Sequence, residues 1–191
     1  MAAPDSAYVH DLTGTWALNK KLSDDPDKVF ALQGVPWLVR HALRYGSLSL
    51  TMTQSETTSE ATDGVSGEKT TVIHVKQTVH PGGFDSEGDY PVDGKPHDAS
   101  LPIFGDVSMQ FQYSDVAEVA DNTFRGSYKE SGDSRIIDEF AINAVKGWEA
   151  RVIWGFELID GKRRLTRNTR TTKGGDTVDA RFVYDYLTQQ R

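Results

Sequence analysis

The stretch from residue 148 to residue 186 reads WEARVIWGFELIDGKRRLTRNTRTTKGGDTVDARFVYDY, and it decides the fold. Every second position from Trp148 to Leu158 is apolar, which is the pattern of a strand with one buried face. Asp160-Gly161 and Gly174-Gly175 are signals for two-residue hairpin turns, because the central positions of such turns need positive φ. We therefore expect three consecutive antiparallel strands.

The two turns also set the register of these strands. They place Trp154 and Phe182 on either side of Arg167, and directly opposed residues share a face of the sheet. The alternation of the last strand, read independently, puts Phe182 and Tyr184 on that same apolar face. The register therefore predicts Arg167 on an aromatic wall, with Tyr184 on the same face of the neighbouring strand.

An internal arginine needs a partner. Arg167 could bind an acidic oxygen of an apolar ligand, or it could pair with Glu139. Asp138 and Glu139 lie on an expected strand from Arg135 to Ile142, where the period of two sends them to opposite faces. The pattern leaves open which of the two is internal. An internal carboxylate could serve as a general acid or base, so the candidates for catalysis are Arg167, Tyr184, Glu139 and Asp138.

Composition excludes several classes of partner and chemistry. The 191 residues suit one domain spanning residues 1–191, and a formal charge of −7 argues against nucleic acid or an anionic membrane surface. The chain has no cysteine, which excludes thiol catalysis, and its five histidines lack metal-ligand spacing. We expect no metal, no cofactor, no membrane insertion and a cytoplasmic location, and the oligomeric state is left open.

The order of the remaining elements predicts a barrel. We expect residues 1–10 to be a loose leader, followed by a first strand, a pair of short helices over 29–33 and 35–44, and a strand from Leu48. Further strands are expected over 70–79, 107–113, 123–129 and 135–142. The polar stretches 55–68 and 80–106 are expected to be loops, the second a possible lid. This order is typical of a single antiparallel up-and-down β-barrel with a short helix pair after the first strand.

Two segments resemble a known family. Gly14-Thr15-Trp16 resembles the Gly-x-Trp signature of calycins, the superfamily of lipocalins and fatty-acid-binding proteins, and residues 34–42 are similar to the helical stretch of the second group. The resemblance implies structural roles for Gly14 and Trp16 and an apolar cavity under a helical lid. It also implies a third alternative for Arg167, which could pack over Trp16 at the closed end and plug the barrel. The family's Arg-x-Tyr carboxylate site does not carry over, because Arg181 and Tyr184 fall on opposite faces.

Three functions are compatible with these features. The first is binding of a small hydrophobic ligand, such as a lipid, polyketide or terpenoid-like molecule with an acidic oxygen, inside the barrel. The second is a cofactor-free cyclase or isomerase of natural-product biosynthesis that uses the same cavity. The third is a solid barrel that acts through its surface. The expected ligand-binding residues are Trp37, Met52, Phe111, Trp154, Phe156, Arg167, Phe182 and Tyr184.

Overall fold

A computed structural model describes residues 1–58, 69–81, 83–119 and 128–188, which form ten β-strands, three short α-helices and a 3₁₀ turn. The strands are β1 (Gly14–Leu18), β2 (Ser47–Thr58), β3 (Lys69–His80), β4 (Ser86–Pro91), β5 (Pro96–Leu101), β6 (Gly105–Asp115), β7 (Arg135–Asn143), β8 (Trp148–Ile159), β9 (Lys162–Lys173) and β10 (Asp176–Thr188). The helices are α1 (Asp27–Leu32), α2 (Trp37–Tyr45) and α3 (Val116–Val119), and the 3₁₀ turn is Tyr128–Ser131.

The ten strands form one antiparallel sheet in the order β4-β3-β2-β1-β10-β9-β8-β7-β6-β5. Neighbours in the chain pair with one another, and β1 pairs with β10, which joins the two ends of the chain. The two edge strands, β4 and β5, are consecutive in sequence, and the sheet curls into a nearly closed barrel. The predicted up-and-down barrel with a helix pair after the first strand is confirmed.

The register predicted for the last three strands is confirmed at each pair. Arg167 lies opposite Trp154 on β8 and opposite Phe182 on β10, and Leu165 lies opposite Phe156 and Tyr184. Both turns have positive φ, with values of 51° at Asp160 and 58° at Gly174. Short turns of this kind leave the strands no freedom to slip, since a slip of one residue would turn the apolar face outward.

The helix pair covers one end of the barrel. Val29 of α1 is buried, and Phe30 packs against Phe104, with ring centroids 6.0 Å apart. Helix α2 has no buried residue and is tied to the first residue of α1 by an ion pair of 2.8 Å between Arg40 and Asp27. None of the helices among the described residues has the length and apolar character needed to cross a lipid bilayer.

The opposite end is closed by Trp16 and by the N-terminal residues. Trp16 is fully buried, and its indole Nε1 donates a hydrogen bond of 2.8 Å to the Leu12 carbonyl. Residues 1–10 are not the loose leader that was expected, because Ala3, Ala7 and Val9 are buried against this end. Such packing is a long-range contact between small side chains, and local sequence patterns do not report it.

The expected loop 80–106 contains β4 and β5. Its glycines and prolines bound two short strands: Pro91 ends β4, Pro96 begins β5, and Gly94 between them has a φ of 70°. Edge strands tolerate proline at their ends, where no ladder hydrogen bond is lost. The stretch 55–68 was also expected to be a loop, but β2 continues to Thr58, and residues 59–68 lie outside the described residues.

The strand expected over 123–129 is wrong at residues 128 and 129, which lie within the described residues. Residues 123–127 lie outside the described residues, and Tyr128 begins a 3₁₀ turn. The Tyr128 ring is buried on the outer face of the barrel, where it forms a small apolar cluster with Val116, Ile136 and Ile153. The Tyr128 side chain therefore packs on β7 and β8 without belonging to a strand of its own.

A buried polar group lies beside this outer cluster. The Glu157 carboxylate, 1% exposed, accepts hydrogen bonds from Thr166 Oγ1 at 2.7 Å and Asn168 Nδ2 at 2.6 Å. The Asn168 amide also donates to the Tyr128 hydroxyl. These contacts bind the 3₁₀ turn to the outer side of β8 and β9, the strands whose inner side carries Trp154 and Arg167.

Gly155 is the contact point of the Tyr128 ring, and it provides a test of this packing. A Cβ added there would lie 2.8 Å from Tyr128 Cδ1, so Gly155→Ala is expected to lower the free energy of unfolding by about 1–3 kcal/mol. In a Tyr128→Ala background the same change is expected to cost less, and the remaining cost reflects Ile136 Cγ2, which the added Cβ would meet at 3.0 Å. Urea denaturation of the four proteins measures both values, and equal costs in the two backgrounds would show that the ring does not pack on Gly155.

Candidate functional site

An internal cavity of about 210 Å³ lies inside the barrel, beneath the helix pair. Apolar side chains from strands on all sides form most of its wall, among them Leu50, Val75, Val107, Met109, Phe111, Val152 and Phe182. The side chains of α1 and of the segment before β6 cover it, through Val29, Phe30 and Phe104. The cavity is the space that inward residues leave when the barrel is wider than its side chains can fill.

A charged pair lies in the wall of this apolar cavity. Arg167 Nη2 donates to Glu139 Oε2 at 3.0 Å, and the same carboxylate oxygen accepts a hydrogen bond of 2.6 Å from Trp154 Nε1. The Arg167 guanidinium carbon lies 4.1 Å from the centroid of the Trp154 ring, a cation–π contact. Glu139 is 3% exposed, so its charge depends on these two partners.

Tyr184 completes this polar group. Its hydroxyl lies beside the Arg167 guanidinium, and because a guanidinium only donates, a hydrogen bond between the two leaves the phenol its own proton to donate. Burial raises the pKa of Tyr184 above its ordinary value, so the hydroxyl is protonated at neutral pH. We call Arg167, Glu139, Trp154 and Tyr184 the polar wall.

The charge of Arg167 is retained in this setting. Burial by itself lowers the pKa of the guanidinium, but the Glu139 carboxylate and the Tyr184 hydroxyl reverse that effect, and the net shift is upward. Tyr90 faces the same group from β4, and burial, followed by the Glu139 charge, raises the pKa of its hydroxyl. The polar wall therefore combines the Arg167–Glu139 pair with the protonated phenol of Tyr184, and a second protonated phenol, Tyr90, faces it.

Of the three alternatives for Arg167, pairing with Glu139 is observed and the plug over Trp16 is wrong. Trp16 packs against Phe156 and Tyr186, whose ring centroids are 6.0 and 4.9 Å from its own. The arginine at that closed end is Arg163, with its guanidinium carbon 3.8 Å from the centroid of the Phe156 ring. The register places Arg163 and Arg167 on the same face, and only depth in the barrel separates their roles.

The structure distinguishes the two neighbouring carboxylates. Glu139 is internal, whereas Asp138 is on the outer face, where its oxygens accept hydrogen bonds of 2.9 and 2.7 Å from Arg151. Asp138 is therefore not part of the cavity, although it was a candidate for catalysis. Within the described ranges, no three histidine, aspartate or glutamate side chains lie together in the manner of a metal site.

The expected ligand-binding residues divide into two groups. Those that line the cavity are Phe111, Trp154, Arg167, Phe182 and Tyr184. Met52 and Phe156 are fully buried in the closed end, and Trp37 is 65% exposed on α2, where it stacks on His41 at 5.3 Å. These three residues do not line the cavity. For Met52 and Phe156 the reason is that period-two alternation gives the face of a strand but not the depth along the barrel, whereas Trp37 is on the exposed helix α2.

Tyr90 and Gln33 line the cavity and were not among the expected residues. Tyr90 lies in the stretch expected to be a loop, and Gln33 ends α1 in a sequence that carries no chemical motif. No local signal identifies either residue, because both enter the cavity through long-range packing.

The Arg167–Glu139 pair is expected to be strongly coupled. Arg167→Leu leaves Glu139 without its counter-charge and is expected to lower the free energy of unfolding by about 3 kcal/mol, because an unpaired buried carboxylate is costly. Adding Glu139→Leu to that variant is expected to recover at least half of the loss. Thermal and urea denaturation of the double-mutant cycle measures the coupling.

The Arg170–Asp179 pair, 2.7 Å apart on the exposed face of the same hairpin, is the matched control. We expect its cycle to give a coupling below about 1 kcal/mol, because solvent screens it. Equal coupling in the two cycles would contradict the buried character of the internal pair.

Comparison with known proteins gives similarity over the whole chain. No family model matches. The chain is 28% identical over 191 residues to "Probable pericyclase scpY" of Mollisia scopiformis, covering 99% of this chain and 96% of that protein. It is 23% identical over 192 residues to "Pericyclase pydY" of Acremonium sp., covering 98% and 97%.

Solved structures agree on the architecture. Fatty-acid-binding protein 1 of Echinococcus granulosus has a TM-score of 0.54 at 12% identity, covering 92% of this chain and 97% of that one. The fatty acid transporter REP1-NXSQ has a TM-score of 0.55 at 11% identity, covering 94% and 98%. With its ten-stranded antiparallel barrel, its helix pair after β1 and its Gly-x-Trp in β1, the chain has a calycin-like fold of the fatty-acid-binding-protein type.

Proposed function

We propose that this protein is a cofactor-independent cyclase that catalyses a pericyclic ring closure of a hydrophobic substrate inside the barrel. The observation that carries the proposal is the polar wall, a charged and hydrogen-bonded group set into a mostly apolar cavity. Similarity along the whole chain to two proteins described as pericyclases supports it. The cytoplasmic location and the single domain expected from the sequence stay predictions.

A pericyclic ring closure converts one molecule into its isomer by moving π-electron pairs into new σ bonds. It adds and removes no atom, so the protein needs no nucleophile, and its contribution is to fold the substrate and to polarise it. Holding the reacting carbons within van der Waals distance removes much of the entropic part of the barrier. The apolar wall of the cavity suits this task, because it favours a folded hydrocarbon chain over an extended, hydrated one.

Polarisation is the role proposed for the polar wall. A carbonyl conjugated with the reacting double bonds gains partial negative charge as the ring closes, and a preorganised hydrogen-bond donor stabilises that charge. We assign the donation to the Tyr184 hydroxyl, because the Arg167 cation beside its oxygen strengthens the donation of its proton. Arg167 Nε is buried and has no hydrogen-bond partner, and we propose it as a second donor to the substrate carbonyl.

The ion pair also indicates the charge of the substrate. Glu139 already balances Arg167, so a carboxylate or enolate in the cavity would add a second negative charge beside a buried one. We therefore propose that the oxygen bound here is a neutral carbonyl, in place of the acidic oxygen expected from the sequence.

Binding and carriage of a hydrophobic ligand is the second candidate function. The calycin-like fold favours it, since structures described as fatty-acid-binding or fatty acid transporter proteins share the architecture. Fold alone is a weak indication of function, and a carrier would return its ligand unchanged.

Chemical change of the bound compound separates the two functions. A strain of the source organism that lacks this protein is expected to accumulate a linear precursor, and its organic extract is incubated with the purified protein. Liquid chromatography with mass spectrometry is expected to show a compound converted into an isomer of equal mass with weaker ultraviolet absorption, because conjugated double bonds are consumed. A compound that binds stoichiometrically and is recovered unchanged would favour carriage.

Tyr184→Phe tests the polar wall with the loss of one oxygen atom. We expect kcat for the isomerisation to fall about tenfold, because one hydrogen bond to the developing charge is lost, and KM to change less than twofold. Tyr186→Phe is the matched control, since Tyr186 packs on Trp16 in the closed end and does not line the cavity. A fall in kcat of similar size in both variants would indicate a general effect on the barrel.

A further inference from the structure

The lid end of the cavity carries a second pair of polar side chains that the polar wall does not use. Gln33, at the end of α1, and Trp148, at the start of β8, both line the cavity and are 7% and 3% exposed. Gln33 Oε1 and Trp148 Nε1 are buried and have no hydrogen-bond partner. An unpaired buried polar atom costs about 1–3 kcal/mol, so two of them on one cavity wall indicate a partner.

The two residues are held in place from neighbouring segments. A Cβ added at Gly34, next to Gln33, would lie 3.6 Å from Cδ of Lys146, which is two residues before Trp148. The turn that carries Lys146 is itself fixed, because Asn143 Oδ1 accepts a hydrogen bond of 2.7 Å from its backbone N–H. The end of α1 and the start of β8 therefore meet at the lid end, and we call Gln33 and Trp148 the lid pair.

The chemistry of the lid pair is complementary. A side-chain amide oxygen only accepts hydrogen bonds, and an indole N–H only donates them. A bound group that satisfies both must therefore carry a donor and an acceptor. A carboxylate or an ester only accepts and would leave Gln33 Oε1 unpaired, whereas a neutral amide offers both a carbonyl and an N–H.

The distance between the lid pair and the polar wall sets the shape of such a ligand. Trp148 and Trp154 are six positions apart on β8, and both side chains line the cavity. At about 3.3 Å per residue their backbones are roughly 20 Å apart, so a ligand that reaches both groups must have a long chain.

We infer that the lid pair is a second binding subsite that takes a neutral amide-type group of an elongated, mostly apolar substrate whose carbonyl reaches the polar wall. This inference rests on the proposed function only in placing the substrate carbonyl at the polar wall. The ring closure would then take place on a chain anchored at both ends, which restricts the conformations from which the carbons can react.

Two neutral probes of equal length test the inference. Methyl 12-amino-12-oxododecanoate has an ester at one end and a primary amide at the other, and dimethyl dodecanedioate has esters at both ends. Isothermal titration calorimetry is expected to give about tenfold tighter binding for the amide probe, because only its N–H can pair with Gln33. Gln33→Leu is expected to remove this preference, because both probes then meet the same apolar side chain.

Trp148→Phe is expected to weaken binding of both probes about tenfold, because either carbonyl can accept from the indole N–H. Gln112→Leu is the matched control, since Gln112 lies opposite the outward Asp138 and does not line the cavity, and it is expected to retain the preference. Thermal melting of each variant establishes that the barrel is folded.

The outcomes separate the second subsite from the proposed function. Equal affinity for the two probes, or a preference that persists in Gln33→Leu, would overturn the subsite and would indicate that water alone satisfies the lid pair. If Tyr184→Phe still lowers kcat in that case, the proposed function stands without the subsite. Failure of both probes to bind would count against both.

Discussion

The ion pair between Arg167 and Glu139 is the constraint on which the interior of this barrel depends. A cation in an apolar cavity is tolerated only when a counter-charge is within reach, and here β7 supplies the carboxylate while β8 supplies an indole N–H to the same oxygen. Three consecutive strands must therefore keep their register for the pair to exist. The register of the barrel brings the charged pair together, and the pairing of these charges in turn stabilises that register.

The same strands carry polar groups on both of their faces. Trp154 and Arg167 face the cavity, while Glu157 and Asn168, three and one positions further along their strands, face outward beneath the Tyr128 ring. Alternation makes this possible, because neighbouring residues of a strand serve opposite sides of the sheet. The outer contacts hold β8 and β9 together. This also holds the polar wall on their inner side in place, and a hydrogen-bond donor stabilises charge only if it is fixed in position.

The two ends of the barrel interior differ in how completely side chains fill them. The closed end is filled by Trp16, Phe156 and small residues of the N-terminal segment, and the lid end keeps space beneath α1. A ligand in this space meets polar atoms at two levels and apolar side chains between them. This arrangement suits a chain that is folded and polarised better than one that is merely stored, and we regard catalysis as the better account of the cavity.

The sequence by itself determined the register of β8, β9 and β10 and the inward positions of Arg167, Trp154, Phe182 and Tyr184. Period-two alternation and two-residue turns are local properties, so no other part of the chain is needed to derive them. The helix pair after β1 likewise followed from local signals, and with the Gly-x-Trp stretch it indicated the class of barrel.

Only the tertiary structure decided which carboxylate faces Arg167, how deep each inward residue lies, and which side chains close the two ends. Glu139, Tyr90 and Gln33 reach the cavity from segments far from Arg167 in the chain, and the N-terminal residues pack on the closed end in the same way. A sequence pattern reports the face of a strand and not its neighbours across the barrel, because those contacts depend on how the whole sheet curls and closes.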